Sequence, residues 1–397
     1  MNNLSDRINN LSESQTLAMS RRSRELQAEG KDIINLSIGE PDFPTPEFVK
    51  DAAKKAMDEG YTKYTPVSGF LDLRQAISEK FKRDNGLDYQ ADEIVVSTGA
   101  KQSIANAVMS LVNPGDEVIV PAPYWVSYIE IIKMAEGIPV IVEAGIEQDF
   151  KITAQQLKDA ITPKSKMMIF SSPCNPSGSV FSKEELKAFA EVIETKKDFY
   201  VLSDEIYEYI NFIGKHESLA QFSNIKDQVI TVNGVSKGYA MTGWRIGYIG
   251  APKWIASACD KIQGQITSGT CSIAQKAAKA AVSADPAATN EMKEAFLRRR
   301  NLVLEKLGEI PGLKLNEPKG AFYVFPDVSS YFGKSFNGNE IKDASDLSMY
   351  LLDEASVALV TGEAFGANDC IRFSYATSDN VLLEAIDRVK KALAKLQ

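Results

Sequence analysis

The sequence predicts an α/β protein: a large domain with a mostly parallel sheet and helices on both faces, plus a smaller α+β domain. The chain has 397 residues, more than the ~100–200 residues of one ordinary domain. Hydrophobic residues make up 44% and charged residues 25%, the balance of a folded globular protein. From about residue 94 to 250, short β-branched runs alternate with helical stretches. That alternation is typical of a parallel sheet covered by helices.

The elements follow in order along the chain. An amphipathic helix between two of the strands begins with a capping-box pattern, Ser182 followed three residues later by Glu185. A longer amphipathic helix follows Pro286 and is predicted to end at Pro311. The runs predicted as strands of the large sheet are "EIVVST", "EVIVPA", "PVIVEA", "KMMIFSS", "FYVLSD", "VITVNG" and "RIGYIG". The predicted domains are an N-terminal arm that joins the small domain (1–45), the large domain (46–285), a linking helix (286–312) and the C-terminal small domain (313–397).

Composition excludes several classes of function. The net charge of −8 argues against nucleic acid as the main partner. No stretch approaches the ~18 uninterrupted apolar residues of a membrane span, and the N-terminus lacks the apolar segment of a signal peptide. We therefore expect a cytoplasmic protein without membrane contact. The scattered cysteines and the single histidine, His216 in the polar stretch "GKHES", indicate no disulfide, no metal site and only a poor histidine base.

Polar residues follow three of the predicted strands. Asn175 comes after "KMMIFSS", Asp204 and Tyr207 after "FYVLS", and Ser236 and Lys237 after "VITVN". Ligands of open α/β sheets bind beyond the carboxyl ends of the strands, so these side chains are expected to meet.

A fourth strand end adds a place for an anion. "EIVVS" runs into "TGAKQ" and a helix whose free N–H groups suit a phosphate. A phosphate at this helix, an aldehyde for the Lys237 amine and a protonated ring nitrogen for the Asp204 carboxylate are combined in pyridoxal phosphate. Each residue alone has an ordinary explanation: a turn asparagine, a capping aspartate or a solvated lysine. Only the whole set, in this order along the chain, points to this cofactor.

Seven stretches, spread over nearly the whole chain, contain motifs of one known enzyme family: "GEPDFPTP" (39–46), "KYTPVSG" (63–69), "PYWVSY" (123–128), "SSPCNPSG" (171–178), "SDEIY" (203–207), "SKGYAMTGWRIGY" (236–248) and "IRFSYATS" (371–378). In these stretches the chain resembles the class I, fold-type I aminotransferases that use pyridoxal phosphate. Within them it is similar to the bacterial aspartate aminotransferase and prephenate aminotransferase subgroup.

The resemblance implies a role for each cofactor residue. Lys237 would form the Schiff base with the cofactor, and Asp204 would pair with its ring nitrogen. Tyr207 and Asn175 would hydrogen-bond the phenolic oxygen, and Trp125 would stack on the ring. The implied phosphate ligands are Ser236, Arg245, the helix start at Gly99, Ala100 and Lys101, and Tyr64 of the partner subunit.

Two features of the phosphate site have further consequences. Tyr64 reaching across implies a homodimer with shared active sites. Ala100 and Gly234 stand where many relatives carry a hydroxyl, so the backbone N–H groups of Gly99 and Ala100 are expected to contribute more of the phosphate binding.

The resemblance also implies how the substrate is bound. Arg372, assisted by backbone at Gly39, would hold the α-carboxylate by two parallel hydrogen bonds, next to Trp125 and Asn175. The distal carboxylate would meet Lys101, Thr16 and Ser268 of the partner subunit, because "KIQGQITSGTCS" (261–272) contains no arginine. A purely structural role for Lys101 is disfavoured, since a cation at a helix N-terminus opposes the helix dipole.

The implied reaction converts L-aspartate and 2-oxoglutarate to oxaloacetate and L-glutamate by a ping-pong mechanism. The alternatives are a prephenate or broad aromatic aminotransferase, which carries the same distal residues, and a lyase on the same fold. A dinucleotide dehydrogenase is disfavoured because no G-x-G-x-x-G occurs. A regulator built on this fold would need an added DNA-binding module, for which the short N-terminus leaves no room.

Overall fold

The computed structural model describes residues 3–397. Its strands, in chain order, are β1 Ile34–Asn35, β2 Ile94–Ser97, β3 Glu117–Ala122, β4 Ile138–Glu143, β5 Ser165–Ser171, β6 Tyr200–Asp204, β7 Val229–Gly234, β8 Gly247–Gly250, β9 Tyr323–Val324, β10 Ser335–Phe336, β11 Asn339–Glu340, β12 Val357–Ala358, β13 Val360–Thr361 and β14 Ile371–Ser374. Its α-helices are α1 Asp6–Asn9, α2 Gln15–Ala28, α3 Glu47–Asp58, α4 Leu71–Lys80, α5 Ala100–Leu111, α6 Ser127–Met134, α7 Ala154–Ala160, α8 Lys183–Ile193, α9 Lys253–Ile266, α10 Ser272–Ser283, α11 Asn290–Gly308, α12 Ala344–Ala355 and α13 Asp379–Leu393.

The large sheet has seven strands within residues 3–397, in the order β2-β8-β7-β6-β5-β3-β4. Each run that the sequence marked as a strand forms one of them. Only β8 runs antiparallel to its neighbours in this sheet, β2 and β7. The predicted α/β class with a mostly parallel sheet is confirmed.

Helices cover both faces of this sheet because its strands are apolar on both sides. Along β5, Met168 faces a cluster that includes residues of α3, α4, α8 and α10. Its neighbours Met167 and Ile169 face a second cluster built with α5, α6 and α9. Successive side chains of a strand point to opposite faces, so a continuous hydrophobic run needs helices on both sides.

A third cluster forms the core of the smaller unit. Helices α11, α12 and α13 pack there against β9, β12 and β14. The N-terminal segment joins this unit, because β1 pairs in parallel with β12, Ile34 opposite Val357. This pairing agrees with a small domain made from both ends of the chain. The domain bounds at residues 45, 285 and 312 stay a prediction.

Two helix signals in the sequence have clear structural counterparts. At the start of α8 the Ser182 hydroxyl accepts from the Glu185 N–H at 3.2 Å, and the Glu185 carboxylate accepts from the Ser182 N–H at 2.7 Å. The long helix is shorter than expected: a 3₁₀ turn covers Pro286–Thr289, and α11 then ends at Gly308. Among residues 3–397, no helix has the length and apolarity needed to cross a membrane.

Candidate active site

A cavity of about 380 Å³ lies at the carboxyl ends of β5, β6 and β7. This is where the topology of an open α/β sheet places a ligand. All but three of the predicted site residues line it: Thr16, Gly39, Ala100, Lys101, Trp125, Asn175, Asp204, Tyr207, Ser236, Lys237, Arg245 and Arg372. The three outside the lining are Gly99, Tyr64 and Ser268.

Lys237 lies three residues beyond the end of β7, with its ammonium in the cavity. The ammonium donates to the carbonyl oxygen of Gly39 at 2.5 Å. Burial, helped by the nearby cations Arg372 and Arg245, lowers the pKa of Lys237 to about 8. The negative charges of Glu40 and Asp204 oppose this shift. A lysine with this pKa exchanges protons near neutral pH.

Asp204 is the last residue of β6 and is 5% exposed. Its carboxylate accepts from the Tyr128 hydroxyl at 2.7 Å and from the Ile206 N–H at 3.2 Å. Burial raises the pKa of Asp204 to about 6, and the Tyr128 hydrogen bond works in the opposite direction. The sequence analysis did not single out Tyr128, although it lies at the end of the quoted stretch "PYWVSY".

Arg372, on β14, is 1% exposed and has no acidic partner among residues 3–397. Its guanidinium donates to Asn175 Oδ1 at 2.8 Å and to the carbonyl oxygen of Ser37 at 2.6 Å. The guanidinium carbon lies 4.5 Å from the centroid of the Tyr323 ring. Burial lowers the pKa of Arg372, and its Nε has no hydrogen-bond partner in the described chain. A buried cation with a free donor is suited to an incoming carboxylate.

Tyr207 is held by a residue that the sequence analysis missed. Its hydroxyl hydrogen-bonds the hydroxyl of Tyr323 at 2.8 Å. Tyr323 lies in "GAFYVFPDV", where the pattern predicted only a strand. The same hydroxyl explains Gly39, since a Cβ at that position would lie 2.6 Å from it. Tyr323 thus connects Tyr207, Gly39 and Arg372.

The start of α5 offers donors that suit an anion. Gly99 precedes this helix with φ 83°, and a Cβ there would overlap the Arg245 guanidinium. The Gly99 N–H already donates to the carbonyl oxygen of Ser97 at 2.8 Å. The contribution of the Gly99 N–H to phosphate binding stays a prediction. In this geometry the amides of Ala100 and Lys101 are the helix-start donors without an intrahelical partner. Together with Arg245 and the buried Ser236, they form a positive corner.

Lys101 and Thr16 also line the cavity. The Lys101 ammonium lies 5.0 Å from the centroid of the Trp125 ring. Partial burial and the charge of Arg245 lower the pKa of Lys101, although part of its side chain stays exposed. Among residues 3–397, Lys101 forms no ion pair with an acid, and the buried Thr16 hydroxyl has no hydrogen-bond partner.

Tyr64 and Ser268 lie on an exposed surface and not in the cavity of their own chain. Tyr64 is fully exposed at 100%, and Ser268 has φ 59° in an exposed turn after α9. The two loops pack together, since a Cβ at Gly269 would lie 2.7 Å from the carbonyl oxygen of Pro66. A large exposed aromatic side chain on such a surface often marks a contact with another molecule.

The fold and this cavity define the aminotransferase class of α/β enzymes. The chain belongs to the family of class I and II aminotransferases, whose model matches residues 31–389. It is 47% identical to an aspartate/prephenate aminotransferase of Cereibacter sphaeroides, over 99% of each chain. Its structure is similar to the aspartate aminotransferase of Rhizobium meliloti, with a TM-score of 0.96 and 43% identity over 99% of each chain. The aspartate aminotransferase of Thermus thermophilus with maleate gives a TM-score of 0.93 at 41% identity, over 99% of this chain and 100% of that one.

Proposed function

We propose that this aminotransferase binds pyridoxal phosphate at Lys237 and transfers the amino group of L-aspartate to 2-oxoglutarate. The observation that carries the proposal is the pairing of Lys237 and Asp204 in one cavity. The amine has a pKa lowered to about 8 and the carboxylate a pKa raised to about 6. An amine that can lose its proton and a buried carboxylate in need of a cationic partner match the aldehyde and the ring nitrogen of this cofactor.

The residues present fit the cofactor at each of its polar ends. Arg245, Ser236 and the free amides of Ala100 and Lys101 would hold its phosphate. Asp204, which has no charged partner within hydrogen-bonding distance among the described residues, would hold its ring nitrogen. The family to which the chain belongs implies the same cofactor.

When bound, pyridoxal phosphate supplies a ring that accepts electrons while the Cα–H bond of an amino acid breaks. Lys237 Nζ is placed to take that proton and return it, because its lowered pKa keeps a useful neutral fraction near pH 7. Asp204 keeps its negative charge at the inner wall, where it would stabilise a positively charged ring nitrogen.

The substrate α-carboxylate would bind at Arg372. Asn175 already fixes one arm of the guanidinium at 2.8 Å, and the free Nε gives the carboxylate a donor. The aromatic rings beside Arg372 exclude water and strengthen this contact. The substrate Cα is then held near Lys237, which lies in the same cavity.

Two features support a substrate with a second carboxylate. Within the part of the chain that the structure describes, Lys101 brings an ammonium without an acidic partner, and Thr16 brings a buried hydroxyl without a hydrogen-bond partner. Ser268 of the partner subunit would complete this site. The similar structure from Thermus thermophilus was solved with maleate, a dicarboxylate.

An apolar part of the cavity supports the alternative of a prephenate or aromatic substrate. Leu17 and Ile38 line the cavity and are 61% and 36% exposed. Such side chains at the mouth suit a ring. The relative in Cereibacter sphaeroides is named for both aspartate and prephenate.

A panel of amino donors and oxo acids tests the proposed reaction. With aspartate and 2-oxoglutarate we expect oxaloacetate and glutamate as products, and borohydride should fix the cofactor to the peptide that contains Lys237. Formation of alanine and carbon dioxide, or of fumarate and ammonia, from aspartate without any oxo acid would indicate the lyase. Faster turnover of prephenate than of oxaloacetate would indicate the alternative aminotransferase. Trapping on another lysine would contradict the cofactor assignment.

We also propose that the enzyme is a homodimer in which Tyr64 and Ser268 complete the partner's site. The exposed Tyr64 and its packing beside the loop of Ser268 support this. Mixing inactive Lys237→Ala chains with inactive Tyr64→Ala/Ser268→Ala chains tests it. One site in each mixed dimer would be intact, so about a quarter of the activity should return. No recovery after demonstrated subunit exchange would indicate self-contained sites. A cytoplasmic location stays a prediction.

A further inference from the structure

The segment that carries Asp204 and Tyr207 has a second, buried set of charges. Asp204 and Tyr207 line the active-site cavity, whereas Glu205 and Glu208 do not. Both glutamates are nevertheless buried, at 1% and 6% exposure. Such carboxylates are retained only with close partners, because an unpaired buried charge is costly.

Glu205 is paired with the only histidine of the chain. Its carboxylate lies 3.0 Å from His216 Nε2 and accepts from the hydroxyls of Ser203 at 2.9 Å and Ser218 at 2.7 Å. His216 is 7% exposed, although its neighbours in "GKHES" are polar. Since Nε2 faces a carboxylate, it carries a proton in either charge state, and the titrating position is Nδ1. Nδ1 has no hydrogen-bond partner among the described residues.

Glu208 is paired with a lysine that is fully buried. Lys80, at the end of α4, contacts Glu208 and also donates to Asn85 Oδ1 at 2.8 Å. The Asn85 amide in turn donates to the other oxygen of Glu208 at 2.8 Å. The Lys80 ammonium therefore faces Glu208 and Asn85, and the Asn85 amide donates to Glu208 in turn.

The other titratable groups near the network are either balanced or neutral, so the protonation state of His216 sets the net charge of the network. Asp84, 4.0 Å from Lys80, is balanced by Arg83 at 2.6 Å. Burial raises the pKa of Tyr89 and of Tyr209, so both phenols stay neutral. Glu205 and Glu208 then face the single ammonium of Lys80. With neutral His216 the network carries one net negative charge, and with protonated His216 it carries none.

We propose that His216 and Glu205 form a buried proton-sensing pair behind Asp204, in which the His216 Nδ1 proton sets the charge that Asp204 experiences. Glu205 is the next residue in the chain, and Ser203, which precedes Asp204, is one of its hydrogen-bond donors. His216 is thus a positioning residue that acts on the active site through Glu205. This inference rests on the proposed role of Asp204 as the partner of the ring nitrogen.

The charges around His216 give the direction of the effect. Although burial lowers the pKa of His216, Glu205 raises it more, with a smaller contribution from Glu208 that Lys80 opposes, so the pKa lies above its usual value. Glu205 also raises the pKa of Asp204. As the pH rises through the pKa of His216, Glu205 loses its cation, and Asp204 should hold a shared proton more tightly.

Nuclear magnetic resonance of the untagged enzyme tests the coupling directly, because one histidine gives one set of imidazole signals. Glu205→Gln should lower the pKa of His216 by about one pH unit or more, since it removes the nearest anion. Asp204→Asn should also lower it, by a few tenths of a unit, because coupling between two sites is reciprocal. The control Asp198→Asn removes a carboxylate whose side chain is 68% exposed and should change nothing. An equal His216 pKa in wild type and Asp204→Asn would overturn the proposal.

The pH profile of kcat/KM provides the second readout. In His216→Gln the amide Nε2 can still donate to Glu205 but cannot take up a proton. The inflection at the His216 pKa should therefore disappear while the plateau stays within a few-fold of wild type. A profile identical to wild type would overturn the proposal. Coupling between His216 and Asp204 in a protein that transfers no amino group would instead contradict the proposed function and leave the coupling intact.

Discussion

The inner wall and the outer rim of the cavity are built differently. On the inner wall, Asp204, Tyr207, Asn175 and Arg372 are buried and hydrogen-bonded within the chain. On the outer rim, Lys101 and Arg245 are exposed, and within residues 3–397 neither forms an ion pair with an acid. The inner wall is arranged before any ligand arrives, whereas the rim presents positive charge that only a ligand or a second chain can balance.

This difference separates the residues that would carry out the reaction from those that would select the substrate. Preorganised groups in a dry site stabilise developing charge without moving, so their loss should reduce kcat. Exposed cations gain partners only on binding, so their loss should affect KM and the choice of substrate. The following predictions test that division, beginning with the largest effect.

Lys237→Ala should reduce transamination by about 10⁴-fold, the upper range for removal of a positioned acid–base group. The variant should bind the cofactor without a covalent bond. The matched control is Lys253→Ala, whose side chain is 70% exposed and should leave kcat unchanged. Lys237→Ala with more than a tenth of wild-type activity would mean that another group carries the proton.

Asp204→Ala should reduce kcat by about 10²–10³-fold, since one preorganised charge contributes on the order of 3–4 kcal/mol to the transition state. KM for aspartate should change little, because the hydrogen-bond partners of Asp204 are Tyr128 and the Ile206 N–H and not the arginine that would bind the substrate. Steady-state kinetics at saturating cofactor measure both constants. A loss confined to KM would move Asp204 from the chemistry to substrate binding.

Lys101→Ala should lower kcat/KM for aspartate much more than kcat/KM for a substrate without a distal carboxylate. The variant leaves a distal carboxylate unpaired, which costs about 2–5 kcal/mol when the bound substrate excludes water from this pair. Phenylalanine carries no such charge and should lose little. We expect kcat/KM for aspartate over that for phenylalanine to fall more than ~30-fold, which corresponds to about 2 kcal/mol. An equal decline for both substrates would make Lys101 part of the phosphate site or the fold.

The sequence predicts a feature of this molecule well where one short segment is enough to recognise it. The strands of the large sheet are continuous runs of β-branched residues between turns, so each could be located alone. Lys237, Asp204 and Arg372 carry chemistry that stands out within short motifs. The convergence of Lys237 and Asp204 on one cavity was predictable because parallel strands present their carboxyl ends at one edge. Arg372 lies on β14 of the small antiparallel sheet, so only the family resemblance pointed to its place in the cavity.

Residues defined by contacts between distant segments could not be predicted in the same way. Tyr128 meets Asp204 across 76 residues, and Tyr323 meets Tyr207 across 116. The polar neighbours of His216 suggest a surface loop, yet the side chain is buried against Glu205, whose carboxylate accepts from two serine hydroxyls. No local pattern distinguishes such a tyrosine or histidine from an ordinary one, because the partner decides its role.

Tyr128→Phe should have the smallest effect on the inner wall, because the ring stays and only one hydrogen bond is lost. That bond favours the ionised carboxylate, so its removal should raise the pKa of Asp204 further above 6. Protonated Asp204 cannot stabilise a cationic ring, and we therefore expect the acid limb of the kcat profile to move to higher pH, with about a three- to tenfold loss below pH 7. Tyr200→Phe, at the other end of β6 and outside the cavity, is the matched control and should leave the profile unchanged. If Tyr128→Phe also leaves it unchanged, the inner wall tolerates the loss of a hydrogen bond, and its preorganisation depends on packing alone.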